Sequence, residues 1–450
     1  MYKNKIFREY DIRGVVYEDY DEDFARKLGR AFARMLKDHG GSKASLGRDC
    51  RLSSPDLSKA VMQGMTESGI EVWDIGVVTT PMVYFSLFNL EVDGGIQVSG
   101  SHNPPDQNGF KISVGKETLY GSDIQKLREI IEQEDFPKGE GKVLDKPVRD
   151  MYIKWVSENI KLEKPLKVVI DGGNGTAGPV AAPILKNLGC EVHELYTDMD
   201  GRFPNHHPDP TVEENVQELI ATVRKTGAQV GIGYDGDGDR IGVVDDEGRI
   251  VWGDMLLMLL ARAVLEEVPG ATIVGEVKCS HLLFDDIEKH GGRAIMWKAG
   301  HSLIKAKLKQ ENGALGGEMS GHIFYKHRFF GFDDAVYAGC RLLELLSRWD
   351  RKLSDMMKEV PKTYNTPELR IESSDERKFD IVKEASEHFK SQGYETIDVD
   401  GVRLVFPDGW GLVRASNTQP MLVMRFEAES EGRLNEIRDL VEKKINELNK

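Results

Sequence analysis

The sequence is short of cysteine, of long apolar runs and of positive charge. Its four cysteines (Cys50, Cys190, Cys279, Cys340) lie far apart with no Cys-x-x-Cys pair. That excludes a disulfide framework or a thiolate zinc site and suits a reducing cytoplasm. The longest apolar run, Met255 to Leu260, falls well short of the roughly 20 residues a membrane helix needs. The polar stretch from Met1 to Tyr10 has no apolar centre of the signal-peptide kind. Lys and Arg number 60 against 75 Asp and Glu, a net charge of −15, so a general nucleic-acid binder is not expected. An anionic metabolite would need a local cationic pocket. What remains, 40% hydrophobic and 30% charged residues, describes a soluble, cytoplasmic globular chain. At 450 residues it exceeds one hydrophobic core, and length alone leads to about three domains.

One stretch organises the rest: Ile96-Gln97-Val98-Ser99-Gly100-Ser101-His102-Asn103-Pro104-Pro105-Asp106-Gln107-Asn108-Gly109-Phe110-Lys111. A β-type run to Val98 gives way to small residues. Pro104-Pro105 and Asn108-Gly109 then hold a loop that brings the Ser101 hydroxyl to the surface. A serine hydroxyl is a poor nucleophile until a base or strong field activates it, and His102, Asn103 and Lys111 are the activators at hand. Alone, the loop fits a Gly/Pro turn around a buried serine equally well.

Upstream, Asp11-Ile12-Arg13-Gly14 follows a short β-type start at Ile6 and Phe7. Phe24, Leu28, Phe32, Met35 and Leu36 then recur on one helix face before Gly40-Gly41. A pattern next appears three times: strand, polar loop, helix, glycine, strand. Its loops are 48–55, 171–176 and 276–280, and its returning strands begin at Gly69, Gly189 and Gly291. Each unit has the size of a βαβ crossover, about 30 residues. Each loop leaves the carboxyl end of a strand, where α/β sheets place ligands. The repeat predicts three topologically related α/β domains, each a mixed sheet between helices. Beyond residue 365 the pattern changes. Strands at 368–371, 402–406 and 422–426, a hairpin turn at Asp400-Gly401, and helices at 376–389 and around Leu434, Ile437, Val441 and Ile445 predict a smaller α+β domain. The expected divisions are 1–147, 148–250, 251–364 and 365–450.

Three further loops carry chemistry. In Tyr234-Asp235-Gly236-Asp237-Gly238-Asp239-Arg240, strands flank three alternate carboxylates with glycine spacers. Acids packed so closely repel unless a cation sits among them, and oxygen-only ligands select a hard ion such as Mg²⁺. An EF-hand is excluded, because its sixth position should be Gly and is Arg240, and strands replace its helices. Gly316-Gly317-Glu318-Met319-Ser320-Gly321-His322 offers a carboxylate, a hydroxyl and an imidazole suited to vicinal sugar hydroxyls, although a Gly-rich turn accounts for the spacing as well. In Arg414-Ala415-Ser416-Asn417-Thr418-Gln419-Pro420, a guanidinium fork, hydroxyls and an amide around a turn can cradle a phosphate. Lys278, Lys298, His301, Arg13 and Arg48 lie in predicted loops and together could form the cationic pocket.

With these loops in this order, the sequence resembles the α-D-phosphohexomutases, most closely their bifunctional phosphomannomutase/phosphoglucomutase branch. The likeness runs along essentially the whole chain, from Tyr10-Asp11-Ile12-Arg13-Gly14 to Arg414-Ala415-Ser416-Asn417-Thr418. It implies three related α/β domains and a smaller C-terminal α+β domain around a central cleft. It implies an enzyme, an intramolecular phosphotransferase that interconverts hexose 1-phosphate and hexose 6-phosphate, of glucose, mannose or both. The route would be a phosphoserine and a hexose 1,6-bisphosphate. Ser101 would carry the phosphoryl group, and Asp235, Asp237 and Asp239 would hold one Mg²⁺ with an oxygen on Ser101. Glu318, Ser320 and His322 would read the sugar's 3- and 4-hydroxyls. Arg414, Ser416, Asn417 and Thr418 would grip the phosphate not being transferred. Tyr10, Lys278 and His301 would be substrate contacts, and Arg13, His102, Lys111 and Arg240 would surround the phosphoserine. Lys111, His102 and Arg13 are the candidate general bases. Glucose 1,6-bisphosphate or an equivalent would be the activator, with a monomer or weak homodimer as the assembly and neither nucleic acid nor membrane as partner. Two departures stand out: Ser99 where Thr is usual, expected to be silent, and Gln419 where Glu is frequent. The sugar loop has the form of the glucose and mannose enzymes, whereas phosphoglucosamine mutases vary it.

Three rivals are defined by the same residues. A phosphatase would use Asp235 as nucleophile. A serine hydrolase on Ser101 and His102 lacks Gly-x-Ser-x-Gly and leaves the acidic loop without a role. A sugar-phosphate sensor would need neither the metal loop nor a phosphorylatable serine.

Overall fold

A computed structural model describes residues 4–417 and 419–449 of the chain. The first sheet takes β1 (Ile12–Val15), β2 (Lys43–Arg48), β3 (Glu71–Val77), β4 (Gly94–Val98), β5 (Gln107–Val114), β6 (Glu117–Thr118) and β7 (Val143–Asp145). Their order is β1-β5-β4-β2-β3-β7, with β6 beside β5. Strands β4, β2, β3 and β7 are parallel, β5 turns back on β4, and β1 pairs antiparallel with β5. Helices α1 (Glu22–Asp38), α2 (Ser54–Glu67), α3 (Thr80–Asn89) and α4 (Ser122–Gln133) accompany it.

The second sheet follows α5 (Arg149–Asn159). It runs β8 (Lys167–Asp171), α6 (Gly178–Asn187), β9 (Glu191–Leu195), α7 (Gln217–Thr226), β10 (Val230–Tyr234), β11 (Ile241–Asp245), β12 (Ile250–Val251). Parallel β10-β8-β9 is extended by the antiparallel pair β11-β12. The third runs α8 (Gly253–Glu267), β13 (Thr272–Glu276), α9 (His281–Lys289), β14 (Arg293–Trp297), α10 (His301–Gln310), β15 (Leu315–Gly317), β16 (Ile323–Tyr325), α11 (Ala335–Trp349), α12 (Leu353–Lys358). Its order is β14-β13-β15-β16, parallel but for β16. A parallel centre with an antiparallel return thus occurs three times. The last sheet is wholly antiparallel. It holds β17 (Tyr364–Asn365), β18 (Leu369–Glu372), β19 (Glu395–Ile397), β20 (Val402–Phe406), β21 (Gly409–Ala415) and β22 (Met421–Ala428), packed by α13 (Lys378–Ser391) and α14 (Glu431–Leu448).

Local sequence explains the first helix. Asp21 caps α1 by accepting the Phe24 N–H at 3.0 Å. Phe24, Leu28, Phe32 and Leu36 all lie inward with no exposed surface, each contributing about 1.5–3 kcal/mol. The N-terminus differs from the expected strand: Ile6 ends a 3₁₀ turn and Phe7 makes a single bridge to Ile12. The chain doubles back within a few residues there, too tightly for a ladder, and both side chains are buried all the same.

The cores show how the pieces hold together. The second and third sheets share one continuous core with α3 and α5, whereas the first sheet and the last each have their own. The C-terminal domain meets the third through a small cluster of Val277, Trp410 and Leu412. There Arg403 donates to the carbonyls of Val277 (2.6 Å) and Cys279 (2.9 Å). Among the described residues, no helix is long and apolar enough to cross a membrane.

Candidate active site

The β4–β5 loop holds Ser101 in the left-handed region at φ +50°, a conformation non-glycine residues adopt only when their surroundings hold them there. The holder is Arg51, a fully buried guanidinium. It donates to the carbonyls of Ser101 (2.8 Å), Asn103 (2.5 Å), Pro104 (2.5 Å) and Gln107 (3.1 Å). Asp49 accepts from Arg51 Nε (3.1 Å) and the Gly100 N–H (3.0 Å). The hydroxyl therefore does not stand at a surface tip as the turn chemistry suggests. Ser101 is 2% exposed, and its Oγ donates to Asp235 Oδ2 at 2.8 Å, with His102 Nδ1 at 3.1 Å.

The β10–β11 loop presents Asp235, Asp237 and Asp239, all fully buried, with one carboxylate oxygen from each within 4.8 Å of the others. Asp235 Oδ1 accepts the Asp239 and Arg240 amides. Asp237 Oδ2 accepts from Thr80 Oγ1 (2.5 Å), Ser99 Oγ (2.9 Å) and Lys111 Nζ (2.8 Å), and Lys111 also pairs with Asp239. Gly236 permits the loop to lie against Ser101, since a β-carbon there would overlap the Ser101 carbonyl oxygen.

The electrostatics of this cluster are unfinished. Burial, then Asp239 and Asp237, push the Asp235 carboxyl far above the ordinary range. Among the described residues, Asp237 Oδ1 and Asp239 Oδ1 are buried and accept no hydrogen bond. Acceptor oxygens left over in an acidic cluster fit a hard divalent cation. A second cluster, Asp239, His322 and Asp333, already has cations of its own: Lys305 on Asp333 (3.1 Å) and Arg240 on His322 (3.0 Å). The aspartate triad carries Lys111 as well, but its ligand atoms are all oxygens, the donor set a hard divalent cation takes, whereas the second cluster includes an imidazole.

The flanking bases and acids sort by surroundings. Burial opposes charge on Lys111, but Asp237 and Asp239 outweigh it and hold the ammonium well above its usual range, the reverse of the lowering that neighbouring cations would produce. His102 is kept neutral by burial, then by Arg240, Arg13, His322 and Lys111. Arg13 donates to Asn103 Oδ1 (2.9 Å) and Asp11 Oδ2 (2.5 Å).

The third wall is the β15–β16 loop. Glu318 is 4% exposed and accepts the Gly300 N–H at 2.6 Å. His322 stacks on His301, ring centroids 5.6 Å apart. Ser320 is half-buried beside them. Glu276 accepts the Met319 N–H (2.9 Å). Burial pushes its carboxyl up to about 7, with Lys278 opposing and Glu318 reinforcing. Lys278 reaches on to Glu368 Oε2 (3.2 Å) in the C-terminal domain.

The fourth wall is the β21–β22 loop. Arg414 Nε donates to Asp400 Oδ2 (2.9 Å), Ser416 Oγ accepts the Gln419 N–H (3.1 Å), and Asn417 Nδ2 donates to the Tyr10 hydroxyl (2.7 Å). Burial disfavours the Arg414 charge, and Asp400, with Tyr10 and Glu276, more than compensates. Thr418 lies outside the described residues. Tyr10 donates to the Ala299 carbonyl (2.7 Å), which joins the first, third and fourth walls. The loop cations divide: Lys278, His301 and Arg13 reach the cleft, while Arg48 pairs with Asp74 at 4.0 Å and Lys298 faces Glu9.

Sequence reasoning did not single out Arg51, Asp49, Thr80, Asp333 or Asp400. Arg51 and Asp49 sit in the polar loop of the first repeat, the one signal that pointed their way.

Four family models match in succession, described as phosphoglucomutase/phosphomannomutase: α/β/α domain I (residues 4–138), domain II (150–248), domain III (252–364) and C-terminal domain (368–444). The phosphomannomutase/phosphoglucomutase of Pseudomonas putida is 46% identical over 97% of this chain and 94% of that protein. The phosphoglucomutase of Neisseria gonorrhoeae is 44% identical over 96% of this chain and 95% of that one. A crystal structure of a phosphoglucomutase/phosphomannomutase family protein from Burkholderia thailandensis superposes with a TM-score of 0.94 at 44% identity, covering 100% of this chain and 98% of that chain. The chain belongs to the α-D-phosphohexomutases and, within them, to the phosphoglucomutase/phosphomannomutase family.

Proposed function

We propose that this hexose-phosphate mutase interconverts the 1- and 6-phosphates of glucose, mannose or both through a phosphoserine at Ser101 and a hexose 1,6-bisphosphate. The observation that carries the reading is the Ser101 Oγ bond to Asp235, made beside two carboxylate oxygens that accept no hydrogen bond among the described residues. In this reading each domain lends one loop: 1–147 the phosphoserine, 148–250 the metal loop, 251–364 the sugar loop and 365–450 the phosphate loop. Asp235, Asp237 and Asp239, with an oxygen on Ser101, would hold Mg²⁺, which supplies charge neutralisation for the phosphoryl group.

The chain's own groups do the positioning on which phosphoryl transfer depends. Arg13, Lys111 and Arg240 offset the charge of about −1.5 to −2 that a phosphoserine brings. Glu318 and His322 orient the sugar, and Arg414, Ser416 and Asn417 hold its idle phosphate. As the bond from phosphorus to Ser101 Oγ breaks, one forms to the free sugar hydroxyl. That hydroxyl's proton passes to a base: His102 offers a neutral imidazole, and of the other candidates, Lys111 and Arg13, Lys111 would first have to give up the proton that Asp237 and Asp239 hold on it. The bisphosphate then turns end for end, returns its other phosphoryl group to Ser101 and leaves as the isomer. Glucose 1,6-bisphosphate or an equivalent primes Ser101. The four free cysteines fit action in the cytoplasm, and the assembly in this reading is a monomer or weak homodimer.

Intact mass before and after incubation with glucose 1,6-bisphosphate and Mg²⁺, with the site mapped, tests this. The expected result is a single phosphoryl group on Ser101, removable by glucose or mannose 6-phosphate, and no turnover in Ser101→Ala. Phosphate on Asp235 with release to water would turn the case to a phosphatase, and no phosphorylation anywhere to a sensor.

A further inference from the structure

The Ala299-Gly300 peptide is where three domains meet. The Ala299 N–H donates to Asp400 Oδ2 (3.1 Å) in the C-terminal domain, and its carbonyl accepts the Tyr10 hydroxyl (2.7 Å) from the first. The next N–H, that of Gly300, donates to Glu318 Oε1 (2.6 Å). This peptide has little freedom to shift. Gly300 lies at φ +131°, and the Tyr10 ring occupies the space a β-carbon would need.

Asp400 joins this junction to the phosphate loop. The oxygen that takes the Ala299 N–H, Oδ2, also accepts from Arg414 Nε (2.9 Å), and the two side chains are only 14% and 8% exposed. A guanidinium is planar, so a carboxylate fixed at Nε sets the plane in which its other donors lie. The Ala299 N–H holds the same oxygen from the opposite wall.

We infer that Asp400 is a positioning residue that aims the Arg414 fork at the substrate phosphate by tying it to the 298–301 loop, against which the C-terminal domain is docked. The inference rests on the reading above in which Arg414 grips the phosphate that is not transferred. The residues that hold Asp400 and Glu318 are consecutive, so the phosphate grip and the sugar-reading carboxylate are set together. A substrate seated at one end only would find the other half of its site unaligned.

Steady-state kinetics with glucose 1-phosphate on Asp400→Ala, Arg414→Ala and the double variant test this, together with Mg²⁺ titration calorimetry. Asp400→Ala is expected to raise KM about tenfold with kcat within about twofold, the mark of lost uniform binding. Mg²⁺ affinity should hold, and the substitution should add nothing in the Arg414→Ala background. A fall in kcat at constant KM would mean lost folded protein and overturn the inference, as would full additivity. Amide exchange is the independent check: with glucose 1-phosphate bound, Ala299 should exchange faster in Asp400→Ala, and unchanged protection would count against the coupling. If Arg414→Ala leaves KM untouched, the reading of the phosphate loop fails. If it raises KM and Asp400→Ala does not, only the inference fails.

Discussion

Ser101 shows how much a single residue is asked to do. Its backbone is held in a left-handed conformation that costs roughly 1–2 kcal/mol for an ordinary residue, and six hydrogen bonds made by Arg51 and Asp49 hold the loop in it. A β-branched side chain is a worse fit to that conformation. Ser101→Thr should therefore keep a hydroxyl and still lose phosphorylation, read as the rate of mass gain with glucose 1,6-bisphosphate. Glu318→Ala removes a charged acceptor worth about 1.5–3 kcal/mol, so kcat/KM should fall about 10- to 100-fold while Ser101 is still phosphorylated; loss of both would indicate misfolding. At this scale the sequence was legible where chemistry is local. Aspartates at alternate positions with glycine spacers carry their chemistry within a few residues, whereas the Ser101 loop alone reads equally well as an ordinary turn, and its turn residues suggest a surface hydroxyl where the structure buries it. Arg51, Thr80 and Asp400 act on partners far along the chain; the polar loop around Arg51 and the turn at Asp400-Gly401 mark places in the fold but not those partners.

Among the elements, helix α11 carries a titratable cap. Asp334 Oδ1 accepts the Tyr337 N–H (2.9 Å) and Oδ2 accepts the Tyr152 hydroxyl (2.7 Å) from α5. Burial pushes its carboxyl up to about 7, against the pull of those two bonds. In the unfolded chain an aspartate titrates near about 4. Between about 4 and 7 the folded state thus keeps a proton the unfolded state has released, and this group's contribution to stability declines as pH rises through that window. Asn caps a helix as well as Asp and does not titrate. Asp334→Asn should therefore gain melting temperature relative to the parent protein as pH goes from 4 to 7; a constant difference would refute the assignment. The three strand–loop–helix–strand units were readable because apolar periodicity and a glycine mark each junction. Of the antiparallel return strands, β11 was readable beyond the aspartate loop, but β12 and β16 were not, because they are only two and three residues long, too short for an alternation to register.

In the whole molecule, the acidic cluster ties two domains together. Thr80, Ser99, Ser101 and Lys111 from the first domain all reach aspartates of the second. A cation bound there should stabilise both, by about 2.7 kcal/mol at a hundredfold excess over its Kd. Mg²⁺ is expected to raise the melting temperature of the parent protein, and EDTA to reverse this and stop turnover. Asp237→Ala should show no Mg²⁺ response, and an equal response in that variant would place the metal elsewhere. The overall architecture followed from the repeat. The separate cores of the first and last domains did not, since which apolar face meets which is decided only by packing.

The bond from Asn417 to Tyr10 joins residues 407 positions apart. Domains fold largely in order as the chain leaves the ribosome. A nascent chain can therefore complete the first sheet, and then the shared core of the second and third, with no cleft to close. Its tyrosine waits for a partner made 407 residues later, so the junction between these walls can form only after the first three sheets have their cores.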